Sequence, residues 1–116
     1  MISLHVYINP KSGRQAELEA NIRDRWLAAM STQPGFISAA VLTPFADDAL
    51  EALGASKPKT AYQVVSFWES EGLRLEWVAR PIHDEVFMPL MDLAADVSYT
   101  LNDVAHQWNL GQADRR

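Results

Sequence analysis

The chain contains no cysteine. Disulfides, thiolate nucleophiles and zinc–cysteine sites are all excluded by that absence. Glycine is sparse too, and Gly13, Gly35, Gly54 and Gly72 stand isolated, so no glycine-rich loop is available to cradle a phosphate. Basic residues are outnumbered: 10 Lys and Arg against 15 Asp and Glu leave a net charge of −5, and only Arg115 and Arg116 are adjacent. Nucleic-acid binding draws its affinity from clustered cations, so this balance argues against it. No apolar run approaches the ~18 residues of a membrane span. The N-terminal MISLHVYINP lacks the basic region and small-residue cleavage site of a signal peptide. The expectation is a cytoplasmic protein with neither nucleic acid nor membrane as partner. His5, His83 and His106 are far apart, without HxH or HExxH spacing, so no metal site is expected. Asp47-Asp48 lacks the ligand spacing of a calcium loop.

What is present suits one domain. At 116 residues, with 48% hydrophobic and 22% charged residues, the composition is ordinary for a globular chain. The domain is placed at 1–110, with GQADRR (111–116) read as a disordered tail. Ile2, Leu4, Val6 and Ile8 alternate with Ser3, His5, Tyr7 and Asn9, the period of a strand that Pro10 should end. Ser12 and Gln15 have capping-box spacing, predicting a helix from about residue 13 with Leu18, Ile22, Trp26 and Met30 as its apolar stripe. Pro34-Gly35 turns the chain. The nearly continuous apolar run 36–43 (FISAAVLT) predicts a strand covered on both faces. Asp47-Asp48 opens a short helix carrying Leu50 and Leu53 within a long 45–60 connection, a candidate lid.

Residues 61–68 form a third strand. A helix follows over 69–79, burying Leu73 and Trp77, and a second helical piece carries Val86, Leu90 and Leu93/Ala94 inward with Pro89 kinking it. A fourth strand starts near Asp96, with Asn102-Asp103 as a bulge or turn before Val104, His106 and Trp108 resume the alternation. The order is βαββαβ, so the fold class is α+β, ferredoxin-like, with a four-stranded antiparallel sheet. Helices on one face leave the other uncovered, and an exposed apolar sheet face usually marks an interface. A homodimer through the sheet face is expected, with His5 and Tyr7 as polar groups in it.

Pro34-Gly35-Phe36, the run YQVVSFWES at 62–70, and Trp77 followed by HDEV at 83–86 together resemble the antibiotic biosynthesis monooxygenase family of dimeric α+β barrels. The likeness in element order covers about residues 1–105. It implies a cavity between sheet and helices lined by Val6, Ile8, Ile22, Trp26, Val64, Trp68, Trp77, His83 and Phe87. The quinone-forming members of that family need no metal or flavin, so the resemblance implies no cofactor. A hydroxylated aromatic loses a proton and its carbanion reduces oxygen directly, in a dry pocket that holds and orients it. This chain departs from the oxygenase pattern at Val64, where that branch has a polar amide, and at Leu73, Arg74 and Leu75, where a tyrosine is missing. It departs from the haem-degrading pattern at Val6 and Phe87, which replace an Asn and a His, and it keeps only Trp77.

The candidate site residues are His83 and Trp68 as catalytic groups, with Trp26, Val64, Trp77 and Phe87 binding substrate. Each also has a plainer reading. Trp68 either stacks a flat substrate or closes the core; Trp26 and Trp77 sit on helix stripes where packing is the commoner role. Asp84 and Glu85 beside His83 could hold it as a general base, or it could be a solvated helix-end residue. The leading expectation is a cofactor-independent monooxygenase acting on a small hydroxylated aromatic or quinol. The alternative is a non-enzymatic dimeric domain that binds a small apolar ligand.

Overall fold

Ile2, Leu4, Val6 and Ile8 all point to the same side of β1 (Ile2–Pro10) and are buried, as strict alternation requires. In a computed structural model that describes residues 1–109, this strand is central to a four-stranded antiparallel sheet whose order is β2 (Phe36–Leu42), β3 (Tyr62–Trp68), β1, β4 (Ala94–Asp103). The tail expected at 111–116 lies outside the described residues. Opposite β1, the buried side of β3 (Tyr62–Trp68) is Tyr62, Val64, Ser66 and Trp68, paired with Ile8, Val6, Leu4 and Ile2 respectively. On the other flank β4 (Ala94–Asp103) brings Val97, Tyr99 and Leu101 opposite Ile8, Val6 and Leu4.

The first helical segment is α1 (Gln15–Asn21), a π turn (Ile22–Trp26) and α2 (Leu27–Met30) in direct succession. It starts later than the Ser12 spacing predicts. Arg14 occupies the cap position without a side-chain cap bond, Gly13 takes φ +76° in the preceding turn, and Arg14 pairs with Glu17 instead. The stripe Leu18, Ile22, Trp26 and Met30 is buried throughout. α3 (Asp47–Leu53) buries Leu50 but leaves Leu53 exposed, and Gly54 ends it in the left-handed region. α4 (Glu71–Ala79) is capped by the Ser70 hydroxyl, which accepts from Leu73 N–H at 3.2 Å, and α5 (Pro81–Leu93) opens on proline at its first turn, where no N–H is missed. The core is one cluster between these helices and one sheet face. Among the described residues no helix is long and apolar enough to cross a membrane.

Two elements differ from expectation. β2 (Phe36–Leu42) is not covered on both faces: it is the sheet's edge, and 37–40 and Leu42 are exposed. An apolar run reports that a strand tolerates burial; it does not place the strand in the sheet. The small Ala39 and Ala40 also offer little area for a helix to pack on. β4 begins at Ala94 and runs unbroken through Asn102-Asp103, after which 104–109 are irregular. The irregularity lies at the other end of β4, where Ala95 is skipped between Asp96, opposite Asn9, and Ala94, opposite Pro10, which cannot donate to the ladder.

The turn at Pro34-Gly35-Phe36 is set by contact. Gly35 has φ +87°, its carbonyl accepts from Glu69 N–H at 2.8 Å, and Leu73 packs directly on its Cα side. Phe36 then meets Trp68 edge-on, ring centres 5.7 Å apart. The sheet's other face is uncovered in the single chain. It carries His5 bonded to Ser3 Oγ (3.1 Å) and Gln63 Nε2 (3.0 Å), with Val65 and Phe67 half-buried beside them.

Candidate active site

A cavity of about 180 Å³ opens between the helices and the β1–β4 half of the sheet. Leu4 and Val6 from β1 form its floor, with Val97 and Tyr99 from β4 beside them. Trp26 and Met30 come from the first helical segment, Arg74, Trp77 and Val78 from α4, and His83 and Phe87 from α5. Aromatic contacts link three elements into one wall. Trp26 lies against Phe87 (5.5 Å), Phe87 stacks on the His83 imidazole (5.3 Å, 28°), and His83 meets Trp77 edge-on (5.0 Å).

Why the chain builds this wall follows from spacing. His83 and Phe87 are four apart on α5 and share a face, and Trp77 occupies the last turn of α4 just before Arg80-Pro81 redirects the backbone. The His83 side chain is 15% exposed, which leaves it reachable from the cavity, and its Nδ1 lies a long 3.5 Å from Asp84 Oδ1.

Arg74 is buried, unusual for a guanidinium, and is held by Glu71 one turn earlier, with Nη2 donating to Oε2 at 2.8 Å. The hydrogen bond from Arg74 holds the Glu71 carboxyl below the ordinary range, and the same bond raises the Arg74 guanidinium. The cavity therefore has a paired cation in its wall, close to the Tyr99 phenol. The indole Nε1 of Trp26 is itself buried and has no hydrogen-bond partner among the described residues. An unpaired buried donor costs about 1–3 kcal/mol, so a native structure that keeps one needs a reason.

Four of the six sequence-predicted site residues meet here: His83, Trp26, Trp77 and Phe87. Trp68 and Val64 do not line the cavity, nor do Ile8 and Ile22. Trp68 is fully buried at the end of β3, its N–H donating to Ser66 Oγ at 3.1 Å, and Val64 is packed between Val6 and Val41. The physical reason is lateral position. Alternation assigns Trp68 and Val64 to the inner face, but the gap opens over β1 and β4, one strand away. Arg74 and Tyr99 were missed. Arg74 reads as surface charge between Leu73 and Leu75, although the Glu71–Arg74 spacing of three was a pairing signal. The alternation of Val97, Tyr99 and Leu101 signalled Tyr99, but only the β1–β4 register places it opposite Val6.

A larger, open depression of about 580 Å³ lies on the other sheet face, lined by Tyr7, Leu42, Pro44, Lys59, Gln63 and Ser98 among others. It has no histidine or carboxylate wall and sits on the face expected to meet a second copy. Among the described residues no group of three or more His, Cys, Asp or Glu could hold a metal ion.

Comparison with known proteins agrees with this architecture. Solved structures that share the fold include SnoaB from Streptomyces nogalater, a cofactor-independent oxygenase, at 17% identity, TM-score 0.72, covering 91% of this chain and 94% of that one. A Deinococcus radiodurans protein provisionally assigned as an antibiotic biosynthesis monooxygenase matches at 14% identity, TM-score 0.72, with 94% and 97% covered. A dimeric ferredoxin-like protein of unknown function from Thermobifida fusca matches at 12% identity, TM-score 0.68, with 89% and 90% covered. These identities speak to the fold alone. No curated protein matches the chain. The sequence model of one family does match, over residues 1–87, and the chain belongs to the antibiotic biosynthesis monooxygenase family.

Proposed function

We propose that the protein is a cofactor-independent monooxygenase that oxidises a small hydroxylated aromatic or quinol in the cavity of His83. The observation that carries this reading is the position of His83: a titratable imidazole held between Trp77 and Phe87 in the wall of an otherwise apolar cavity. His83 takes the proton of the substrate hydroxyl, and the resulting anion, which has carbanion character on the ring, transfers electrons to dioxygen. The ring-bound peroxide then eliminates water, leaving a carbonyl where a C–H stood. Hydroxyarene and dioxygen thus give quinone and water, one oxygen atom in each, and all four electrons come from the substrate. Apolar walls keep bulk water from the anion, and Arg74 lies where it can balance negative charge.

Oxygen uptake across hydroxylated single-ring compounds, quinols and anthrones in metal-free buffer tests this. The expected result is uptake by the wild type and a fall in kcat of about 10²–10⁴-fold in His83→Ala, with KM changed little. An unchanged kcat removes His83 from the reaction. No uptake by the wild type on any compound favours the second reading, a binding domain for a small apolar ligand, which the apolar floor of Leu4 and Val6 supports. In either case the uncovered sheet face around Val65 and Phe67 packs against a second copy.

A further inference from the structure

Arg74 places a permanent charge in the cavity wall. On α4 it shares a face with Trp77 and Val78, three and four residues further on, and all three line the cavity. Packing alone would make that stripe apolar throughout. Arg14, Arg23 and Lys57 pair with carboxylates at the surface, their side chains 46%, 63% and 68% exposed, whereas that of Arg74 is 11% exposed. A buried guanidinium costs stability unless its donors are used.

Those of Arg74 are used only in part. A guanidinium carries five N–H donors. Glu71 takes one edge, accepting from Nε and from Nη2. Three N–H remain, two on Nη1 and one on Nη2, and Nη1 meets no acceptor among the described residues. Nη1 is nonetheless accessible, unlike the sealed indole nitrogen of Trp26. An open guanidinium edge of this kind matches the two oxygens of a carboxylate.

The rest of the lining has the same polarity. Its other polar groups are His83 and Tyr99, both able to donate a hydrogen bond, and no Asp or Glu is among the lining residues. The Tyr99 phenol is close to the guanidinium and half-open to solvent, and it makes no hydrogen bond among the described residues. In a chain of net charge −5, this cavity presents donors and a cation without a carboxylate of its own. We infer that it binds an aromatic carboxylate. The carboxylate lies on the open edge of Arg74 and accepts from the Tyr99 hydroxyl, and the ring lies against Trp77, His83 and Phe87. As a substrate class, a hydroxylated aromatic acid, this rests on the oxygenase reading; as a statement about binding it does not.

The test therefore reads binding and not turnover. Benzoate and nitrobenzene have nearly the same shape, but only benzoate is charged, and neither has the ring hydroxyl that the proposed chemistry needs. Each is titrated into isotope-labelled protein and followed by NMR. Benzoate is expected to bind at least about tenfold tighter than nitrobenzene, as a hydrogen-bonded charge pair implies. Its ring protons show NOEs to the methyl groups of Val78 and Val97 in the cavity lining. Acetate, which lacks the ring, binds at least about tenfold more weakly than benzoate. In Arg74→Gln the preference for benzoate disappears while nitrobenzene binding persists, and Tyr99→Phe weakens benzoate by about fivefold. Equal binding of benzoate and nitrobenzene, acetate as tight as benzoate, or NOEs only to residues outside the cavity would overturn the inference. So would a preference retained in Arg74→Gln, unchanged benzoate binding in Tyr99→Phe, or no benzoate binding at millimolar concentration. The wild-type titrations and Tyr99→Phe decide the matter even if Arg74→Gln folds poorly. Benzoate held in the cavity together with a failed oxygen assay would sink only the oxygenase reading; oxygen uptake without a benzoate preference would sink only this inference.

Discussion

Replacing Gly35 by alanine should destabilise the protein through two separable effects. The residue sits at φ +87°, where an L side chain is strained, and an added Cβ would lie 2.6 Å from Leu73 Cβ and 2.7 Å from its Cδ1. The backbone effect is about 1–2 kcal/mol and the overpacking about 1–3 kcal/mol, or roughly 2–5 kcal/mol together. For a domain of this size each kcal/mol moves the melting temperature by about 4 °C, so Tm should fall by roughly 8–20 °C in calorimetry or a circular-dichroism melt. A second substitution at Leu73 separates the two effects. Leu73→Ala keeps the Cβ that makes the 2.6 Å contact, so it should rescue only in part. Leu73→Gly removes the contact entirely, and with it Gly35→Ala should cost less than in the wild-type background by about 1–3 kcal/mol. A Tm within about 2 °C of wild type for Gly35→Ala would refute the argument. So would strict additivity with Leu73→Gly, because the clash would then contribute nothing.

Burial raises the Tyr62 hydroxyl above its ordinary value of 10.0, so the stability it confers is complete below that pH and is lost as pH rises through the folded-state value. Tyr62→Phe should flatten the decline in stability above pH ~10 in urea melts, and an identical decline in both proteins would contradict this. Val65 lies between His5 and Ala40 on the uncovered sheet face, so Val65→Lys should convert a dimer to a monomer in light scattering while leaving the far-ultraviolet spectrum unchanged; a dimer in the variant would place the contact elsewhere.

How far the sequence could be read depends on what each pattern encodes. Alternation at Ile2, Leu4, Val6 and Ile8 encodes the inward face directly, because side chains in a strand have only two directions. The turn at Pro34-Gly35-Phe36 was legible as a turn, but not the reason for its glycine, which lies in Leu73, distant in sequence. Alternation carries no information on lateral order, so FISAAVLT read as a covered strand and proved to be an edge. The same limit misplaced Trp68 and Val64 by one strand from the cavity. The four-residue repeat Leu18, Ile22, Trp26, Met30 was visible as a stripe, and its excess over 3.6 also encoded the π turn. Arg74 was hidden because burial of a cation is decided by a neighbour, Glu71, and by helix packing, neither of which hydrophobicity reports. His83, Trp77 and Phe87 were legible as a group because short helical spacings fix their relative directions locally.

On the proposed mechanism the cavity of His83 inserts one oxygen atom into its substrate with no external reductant. The most direct test is single-turnover reaction with ¹⁸O₂ in metal-free buffer, using the hydroxyarene that gives the fastest oxygen uptake, in wild type and His83→Ala. The account predicts one labelled oxygen in the quinone, the other in water, one dioxygen consumed per product, and loss of the reaction in the variant. Unlabelled product with hydrogen peroxide released, or equal rates in the two proteins, would contradict it.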